Sequence, residues 1–151
     1  MKEAARVLDE FGVPYEVTVA SAHRSPERAA GYARDAEGRG IEVLIAGAGM
    51  AAHLPGVLAA YTPLPVIGVP LQGGALGGVD ALYSVVQMPP GVPVAAVAIN
   101  GARNAALLAV QMLGLKDPGL RERFRAYKAG LAREVAARSE KLQEKLLCND
   151  R

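Results

Sequence analysis

Aromatic residues and cysteine are scarce in this chain of 151 residues. Only 5% of the residues are aromatic although 51% are hydrophobic, so we expect a core of alanine, valine, leucine and isoleucine. The single cysteine, Cys148, excludes an internal disulfide framework and a multi-cysteine metal site. Absence of disulfides is typical of a reducing compartment, and we therefore expect a cytoplasmic protein.

An excess of either charge and long apolar runs are also missing. The 17 basic and 15 acidic side chains give a formal net charge of +2, which argues against the broad basic surface of a nucleic-acid-binding protein. No uninterrupted apolar run approaches the roughly 18 residues of a membrane-spanning helix. The first residues, MKEAARVLDEFG, lack the basic and then apolar pattern of a secretory signal. We expect neither nucleic acid nor a membrane as a partner.

Histidine is also scarce, with two in the chain, His23 and His53. Together with a distant cysteine they do not form a metal-ligand set of recognisable spacing. The sequence also lacks a P-loop lysine, a G-x-G-x-x-G dinucleotide motif and a G-x-S-x-G elbow. We expect no metal and no cofactor.

The chain does contain a regular alternation of strand and helix patterns. Strands are predicted at residues 15–20, 41–47, 64–70 and 92–99, and helices at residues 4–11, 26–37, 53–61, 79–88, 102–113 and 118–147. Short connections between them predict βαβ units, and hence an α/β fold with a parallel sheet covered on both faces. The last helix would be about 45 Å long. It either braces its own sheet or reaches a neighbouring subunit, and its length favours the second.

The segment SAHRSPER, residues 21–28, follows the first predicted strand. His23 can give and take protons near neutral pH, and Arg24 offers planar donors suited to phosphate or carboxylate. Ser25 followed by Pro26 predicts a helix start, whose free N–H groups favour an anion. An acid–base histidine above an anion site is one interpretation. An ordinary loop histidine beside an ordinary helix cap is the other.

The segment AGAGMAAHLPG, residues 46–56, follows the second predicted strand. Gly47 and Gly49 either let the backbone approach a ligand closely or serve a tight turn. His53 lies at the start of the next helix, where a structural role is as reasonable as a chemical one. A third glycine-rich loop, LQGGALGGVD, follows the next strand, and ligands of open α/β sheets bind at this carboxyl edge.

In order and spacing, four segments resemble one family: SAHRSPER, AGAGMAAHLPG, GVPLQGGALGGVDALYSVVQMPPGVPVAAVAI and NAALLAVQML. The family is the phosphoribosylaminoimidazole carboxylase catalytic subunit, PurE, in its N5-carboxyaminoimidazole ribonucleotide mutase form. The resemblance implies a three-layer α/β/α flavodoxin-like fold, a homo-octamer and a role in de novo purine synthesis. It implies transfer of a carboxylate from the exocyclic nitrogen to ring carbon C4, by release and recapture of CO2, without metal or ATP.

The resemblance also assigns roles to residues. His23 corresponds to the general acid–base, and His53 to a histidine that assists it. The positions that correspond to ribonucleotide, imidazole and CO2 contacts are Ser21, Ala22, Arg24, Gly47, Ala48, Gly49, Ala51 and Leu54, with Arg24 on the phosphate. Met50 stands where many members have glycine, and it would narrow or dry the CO2 pocket.

The larger departure from the family is at the front of the chain. Members begin with a strand and a G-S-x-S-D phosphate loop that are absent here, so the sequence is interpreted as N-terminally shortened. A gap in the sheet and weakened substrate binding would follow, leaving the activity of this chain open. We divide the chain into a catalytic domain, residues 1–117, and a C-terminal helix, residues 118–151, on a neighbouring subunit. The alternatives are a direct CO2-dependent carboxylase and a non-catalytic module that binds a nucleotide phosphate.

Overall fold

The computed structural model describes residues 1–149, and their side chains as far as residue 146; the side chain of Cys148 therefore lies outside the described part. The helices are α1 Lys2–Glu10, α2 Pro26–Ala36, α3 Leu54–Tyr61, α4 Val79–Val86, α5 Ala102–Leu113 and α6 Pro118–Asn149, with a 3-10 turn at Glu37–Arg39 after α2. The strands are β1 Leu44–Gly49, β2 Val66–Leu71 and β3 Ala95–Ala96. In the described residues, no helix is long and apolar enough to cross a membrane.

The three strands form one parallel sheet in the order β1–β2–β3. The register of β1 and β2 places Leu44 opposite Val66 and Gly49 opposite Leu71. Both strands are short apolar runs, as expected for strands buried on two faces. The predicted parallel α/β sheet is therefore confirmed.

Side chains of the strands alternate between two helical layers. Ile67 and Val69 point to the layer of α1 and α5, whereas Leu44 and Val66 point to the layer of α2 and α3. Alanines supply much of the helical surface in both layers, so the helices approach the sheet closely. Helix α4 packs with Val85 near β3, and this packing has room only because residue 68 is glycine.

The predicted strand at residues 15–20 is wrong. The segment has no strand pairing, and strand β1 is paired only with β2 within the described chain. Polar side chains hold the segment instead: Glu16 accepts a hydrogen bond from Arg39 at 2.7 Å, and Thr18 accepts one from Arg28 at 3.1 Å. The alternating pattern predicted a strand, but a strand also needs a neighbour to pair its backbone groups.

Two other predicted elements are shorter than expected. The pairing of the predicted strand 92–99 is limited to Ala95–Ala96. Helix α4 ends at Val86, before Met88. Both differences lie at the ends of elements, where the local sequence pattern predicts the boundary least well.

Helix α6 has two parts with different surroundings. Near its start, Phe124 and Tyr127 pack around Phe11 of the segment after α1, with ring centroids 5.6 to 6.1 Å apart. From residue 131 to residue 146 every side chain is exposed. The first part therefore braces the domain, and the second extends away from it.

Candidate active site

Three loops meet at the carboxyl edge of the sheet, where parallel α/β proteins bind ligands. One follows β1 at Gly49, and a second follows β2 at Leu71. The third is the turn that precedes α2 and carries His23.

Residues 21–25 form a closed turn held by two serines. The Ser21 N–H donates to Ser25 Oγ at 2.9 Å, and Ser25 Oγ donates to the Ser21 carbonyl at 3.2 Å. Ser21 Oγ accepts from the Arg24 N–H at 3.1 Å. These hydrogen bonds lie within the turn, and they fix the backbone on both sides of Ala22 and His23.

Helix α2 begins as expected, with Pro26 in its first turn, but Ser25 does not cap it. The Ser25 hydroxyl donates to the Ser21 carbonyl, and no side chain of the described residues caps the helix start. Arg24 beside this start is exposed and forms no ion pair with the described acidic residues. Uncapped N–H groups and a free guanidinium together favour an anion at this position.

His23 and His53 come together across the mouth of the site. His23 Nε2 lies 2.7 Å from His53 Nδ1, and the rings meet edge to face with centroids 4.8 Å apart. Both side chains are exposed. A contact of this length requires a hydrogen on one of the two nitrogens, so the pair can share and pass a proton.

The end of β1 has no room for larger side chains. A Cβ atom on Gly47 would lie 2.7 Å from the Met1 sulfur, and one on Gly49 would lie 3.2 Å from the Leu71 carbonyl oxygen. Ala48 points to the other face and packs near α4. The glycines thus serve close packing of the β1 end against its neighbours.

The loop after β1 turns sharply into α3. The Ala51 carbonyl accepts from the His53 N–H at 2.8 Å, which fixes His53 as the residue that precedes the helix. Leu54, the first residue of α3, packs into the layer of α2 and α3. Met50 has a positive φ of 55°, an unusual conformation for a residue with a side chain.

Sequence reasoning missed two amide side chains at the same edge, Gln72 and Asn100. Gln72 follows β2, and Asn100 precedes α5 with a positive φ of 60°. Their side chains and backbones are joined by hydrogen bonds. The Asn-Gly pair at residues 100–101 was the available signal, since asparagine tolerates the left-handed region in turns.

An open cavity of 390 Å³ lies beside His53, and the helices α3 and α4 form it. Its lining includes Tyr83 and Ser84 of α4, and Gln87, which follows α4. Among the described residues no cluster of three or more His, Cys, Asp or Glu side chains could hold a metal ion. The histidine pair offers proton transfer, and the uncapped start of α2 beside Arg24 offers anion binding.

Comparison with known proteins gives a consistent result. The family described as AIR carboxylase matches residues 1–134. The chain is 60% identical over 144 residues to the N5-carboxyaminoimidazole ribonucleotide mutase of Pyrococcus horikoshii, covering 95% of this chain and 81% of that protein. It is also 60% identical over 143 residues to the protein of that name from Mycobacterium tuberculosis, covering 95% of this chain and 82% of that protein.

Solved structures agree with the sequence matches. The crystal structure of Treponema denticola PurE superposes with a TM-score of 0.85 at 27% identity, covering 93% of this chain and 88% of that chain. This likeness confirms the flavodoxin-like α/β fold, and the sequence matches confirm the resemblance to PurE. The chain belongs to the AIR carboxylase family.

Proposed function

We propose that this chain interconverts N5-carboxyaminoimidazole ribonucleotide and 4-carboxy-5-aminoimidazole ribonucleotide in de novo purine synthesis. The observation that carries the proposal is 60% identity, over 95% of the chain, to relatives named as this mutase. The geometry is compatible with the chemistry, because a proton-sharing histidine pair lies at the ligand-binding edge of the sheet.

The reaction breaks a nitrogen–carbon bond and forms a carbon–carbon bond. The N5–carboxylate bond breaks, giving aminoimidazole ribonucleotide and CO2. C4 of the imidazole then attacks CO2, and the proton on C4 leaves to restore the aromatic ring. The nitrogen gains a proton when it loses its carboxylate and C4 loses one later, so a single group that gives and takes a proton serves both steps.

We assign that group to His23, with His53 as its partner through the 2.7 Å contact. A proton taken from C4 by His23 can be shared with His53 through this contact. Two neighbouring imidazoles also allow either ring to adopt the tautomer that the step requires.

The remaining residues would bind the ribonucleotide. Arg24 and the uncapped start of α2 hold the phosphate, and the turn of Ser21 and Ala22 lies beside it. The end of β1 and the start of α3 line the imidazole and the trapped CO2, through Gly47, Ala48, Gly49, Ala51 and Leu54. Met50 narrows this pocket.

We also propose that the chain acts in the cytoplasm as a homo-octamer, with residues 1–117 as the catalytic domain. The single cysteine supports the cytoplasmic location, because a chain without an internal disulfide is typical of a reducing compartment. The exposed part of α6 supports the homo-octamer, because Leu131, Val135, Leu142 and Leu146 are all exposed apolar side chains.

Ultraviolet-monitored conversion of N5-carboxyaminoimidazole ribonucleotide tests the proposal. We expect turnover by the parent chain and a loss of at least about 100-fold in kcat for His23→Asn, the usual size of a general acid–base contribution. Arg24→Gln should raise KM about 10- to 100-fold, because a charge-assisted phosphate contact is lost. Arg28 lies four residues along and donates to Thr18. Arg28→Gln is therefore the matched control and should behave as the parent.

Supplying the alternative substrates separates the competing functions. Turnover of aminoimidazole ribonucleotide with bicarbonate, but not of the N5-carboxy compound, would assign the chain to direct carboxylation instead. Nucleotide binding without turnover of either substrate, unchanged by His23→Asn, would favour the non-catalytic module.

A further inference from the structure

The loop of residues 72–78 lies between β2 and α4, and its own sequence restricts its backbone conformation only weakly. Gly74, Gly77 and Gly78 all have positive φ, at 62°, 61° and 96°. Glycine populates these and other conformations with little preference, and Leu76 is 62% exposed. The position of this loop therefore depends on contacts made from outside it.

Asn100 makes the contacts at the base of the loop. Its Oδ1 accepts from the Gln72 N–H at 3.0 Å, and its Nδ2 donates to Gln72 Oε1 at 3.2 Å. Its own N–H donates to the Pro70 carbonyl at 2.8 Å. The amide of Asn100 thus uses both its acceptor and its donor on one residue, and its backbone is tied to the end of β2.

The far end of the loop returns to the same place. A Cβ atom on Gly78 would lie 3.0 Å from Gln72 Cα and 3.0 Å from Ile99 Cγ2. The loop thus starts at Gln72 and closes against it, next to the residue that precedes Asn100. The hydrogen-bonded pair Gln72–Asn100, the clasp, therefore lies where the two ends of the loop meet.

The middle of the loop lies close to the loop that carries His53. Met50 Cγ lies 3.5 Å from the position that a Cβ on Gly74 would occupy. Met50 keeps this position with a positive φ of 55°, a conformation unfavourable for a side chain of its size. Strain of this kind gathers at sites where surrounding contacts over-determine the backbone.

We propose that Asn100 is a positioning residue for the reaction. Through Gln72 it holds the loop 72–78 close to Met50, in the loop that carries His53, so that the loop 72–78 covers the bound ribonucleotide. The inference rests on the proposed function for the identity of the ligand. The clasp itself is independent of that function and can be measured without turnover.

Two substitutions separate the backbone of Asn100 from its amide. Asn100→Gly keeps the positive φ accessible and removes the side chain. Asn100→Asp keeps an oxygen for the Gln72 N–H, and the Gln72 side chain can rotate its NH₂ group toward the carboxylate, so this variant should rescue the clasp. The readouts are hydrogen exchange of residues 72–78 and steady-state kinetics with N5-carboxyaminoimidazole ribonucleotide.

We expect faster exchange of the loop in Asn100→Gly, a KM raised about tenfold and a kcat within about twofold of the parent, since the loop contributes binding rather than proton transfer. Asn100→Asp should stay within about threefold of the parent in KM. Unchanged exchange in Asn100→Gly would overturn the clasp. Faster exchange with unchanged KM would overturn its role in the reaction.

Failure of the proposed function gives a different result from failure of the clasp. If the parent turns over neither substrate, the experiment adds 4-carboxy-5-aminoimidazole ribonucleotide and follows exchange alone. Protection of residues 72–78 in the parent and Asn100→Asp, but not in Asn100→Gly, supports the inference. No protection of the loop in the parent overturns it.

Discussion

His23 and His53 are 30 residues apart in the sequence, and their ring nitrogens are 2.7 Å apart in the structure. Each is placed by its own backbone: the first by the serine-bonded turn before α2, the second by the N–H bond to Ala51 before α3. At the scale of single residues, the chemistry therefore depends on short turns that aim two side chains at one point.

A different group of side chains controls the segment of residues 15–20. The Tyr32 hydroxyl, and then the Arg39 guanidinium, lower the pKa of the Glu16 carboxyl by hydrogen bonding. The Arg39 guanidinium also lies over the Tyr32 ring, 4.8 Å from its centroid. This cluster ties the unpaired segment to α2 and the turn that follows it.

The Glu16 cluster predicts a pH dependence of stability. A carboxyl whose pKa is lower in the folded state stabilises the fold above its ordinary pKa of 4.5, and that stabilisation is lost as the pH falls through the lowered value. Glu16→Gln should therefore have a lower Tm than the parent at neutral pH, and the difference should vanish in acid. Thermal unfolding at several pH values between about 3 and 7 measures it; a difference that does not change with pH would contradict the assignment.

At the scale of elements, small residues allow the helices to pack closely against the sheet. Gly68 in the middle of β2 lies under Val85 of α4, Val94 and Pro55. A Cβ atom at this position would come within 2.4 Å of Val85 Cγ1. The approach of α4 to the sheet, and with it the position of the loop 72–78, depends on this glycine.

Gly68→Ala should destabilise the protein by about 1–3 kcal/mol, because a methyl group is forced into a filled core. Gly31→Ala is the matched control: residue 31 lies inside α2, and a Cβ there has no neighbour within 4 Å. It should stabilise the protein by about 0.5–1 kcal/mol, since alanine favours the helix. Urea unfolding of both variants measures the two effects. Equal free energies of unfolding for the two variants would show that β2 has room for a methyl group at residue 68.

At the scale of the whole molecule, α6 connects the domain to its surroundings. Phe124 and Tyr127 attach it to Phe11, and the same face of the helix continues outward through Leu131 and Val135. Arg138 interrupts this face before Leu142 and Leu146 continue it, so the apolar stripe is present but broken.

The stripe predicts a change of assembly on substitution. Leu131→Glu with Val135→Glu should convert the octamer that we propose into smaller species, because two charges enter an apolar contact. Ala132→Glu with Ala136→Glu adds the same charges about 100° around the helix and should leave the assembly unchanged. Light scattering after gel filtration gives the masses; identical masses for both double variants would remove the stripe from the interface.

Local patterns predicted most of this fold. Helices α2 and α5 begin and end within one residue of the prediction, because residues such as Pro26 at the start of α2 and Gly114 at the end of α5 mark helix ends chemically. The segment 15–20 forms no strand although its pattern predicts one, since alternation indicates only that a segment can form a strand. Whether it does depends on a partner for its N–H and C=O groups, and no local pattern contains that information.

The same limit applies to the candidate site. Histidine chemistry, Arg24 and the glycines were recognisable from residue type and order. Gln72 and Asn100 were not, because an amide acquires a role only from what lies opposite it. The proximity of Met50 to Gly74 is of the same kind, as it joins two loops from different strands.

The sequence by itself determined the α/β class, the family and the residues that can carry proton transfer, because these depend on composition, periodicity and ordered motifs. The tertiary structure alone decided that two histidines share a hydrogen, that Ser25 bonds Ser21 instead of capping α2, and that Asn100 clasps Gln72. These are contacts between groups whose distance is fixed by packing of the whole sheet, and spacing along the chain does not specify that distance.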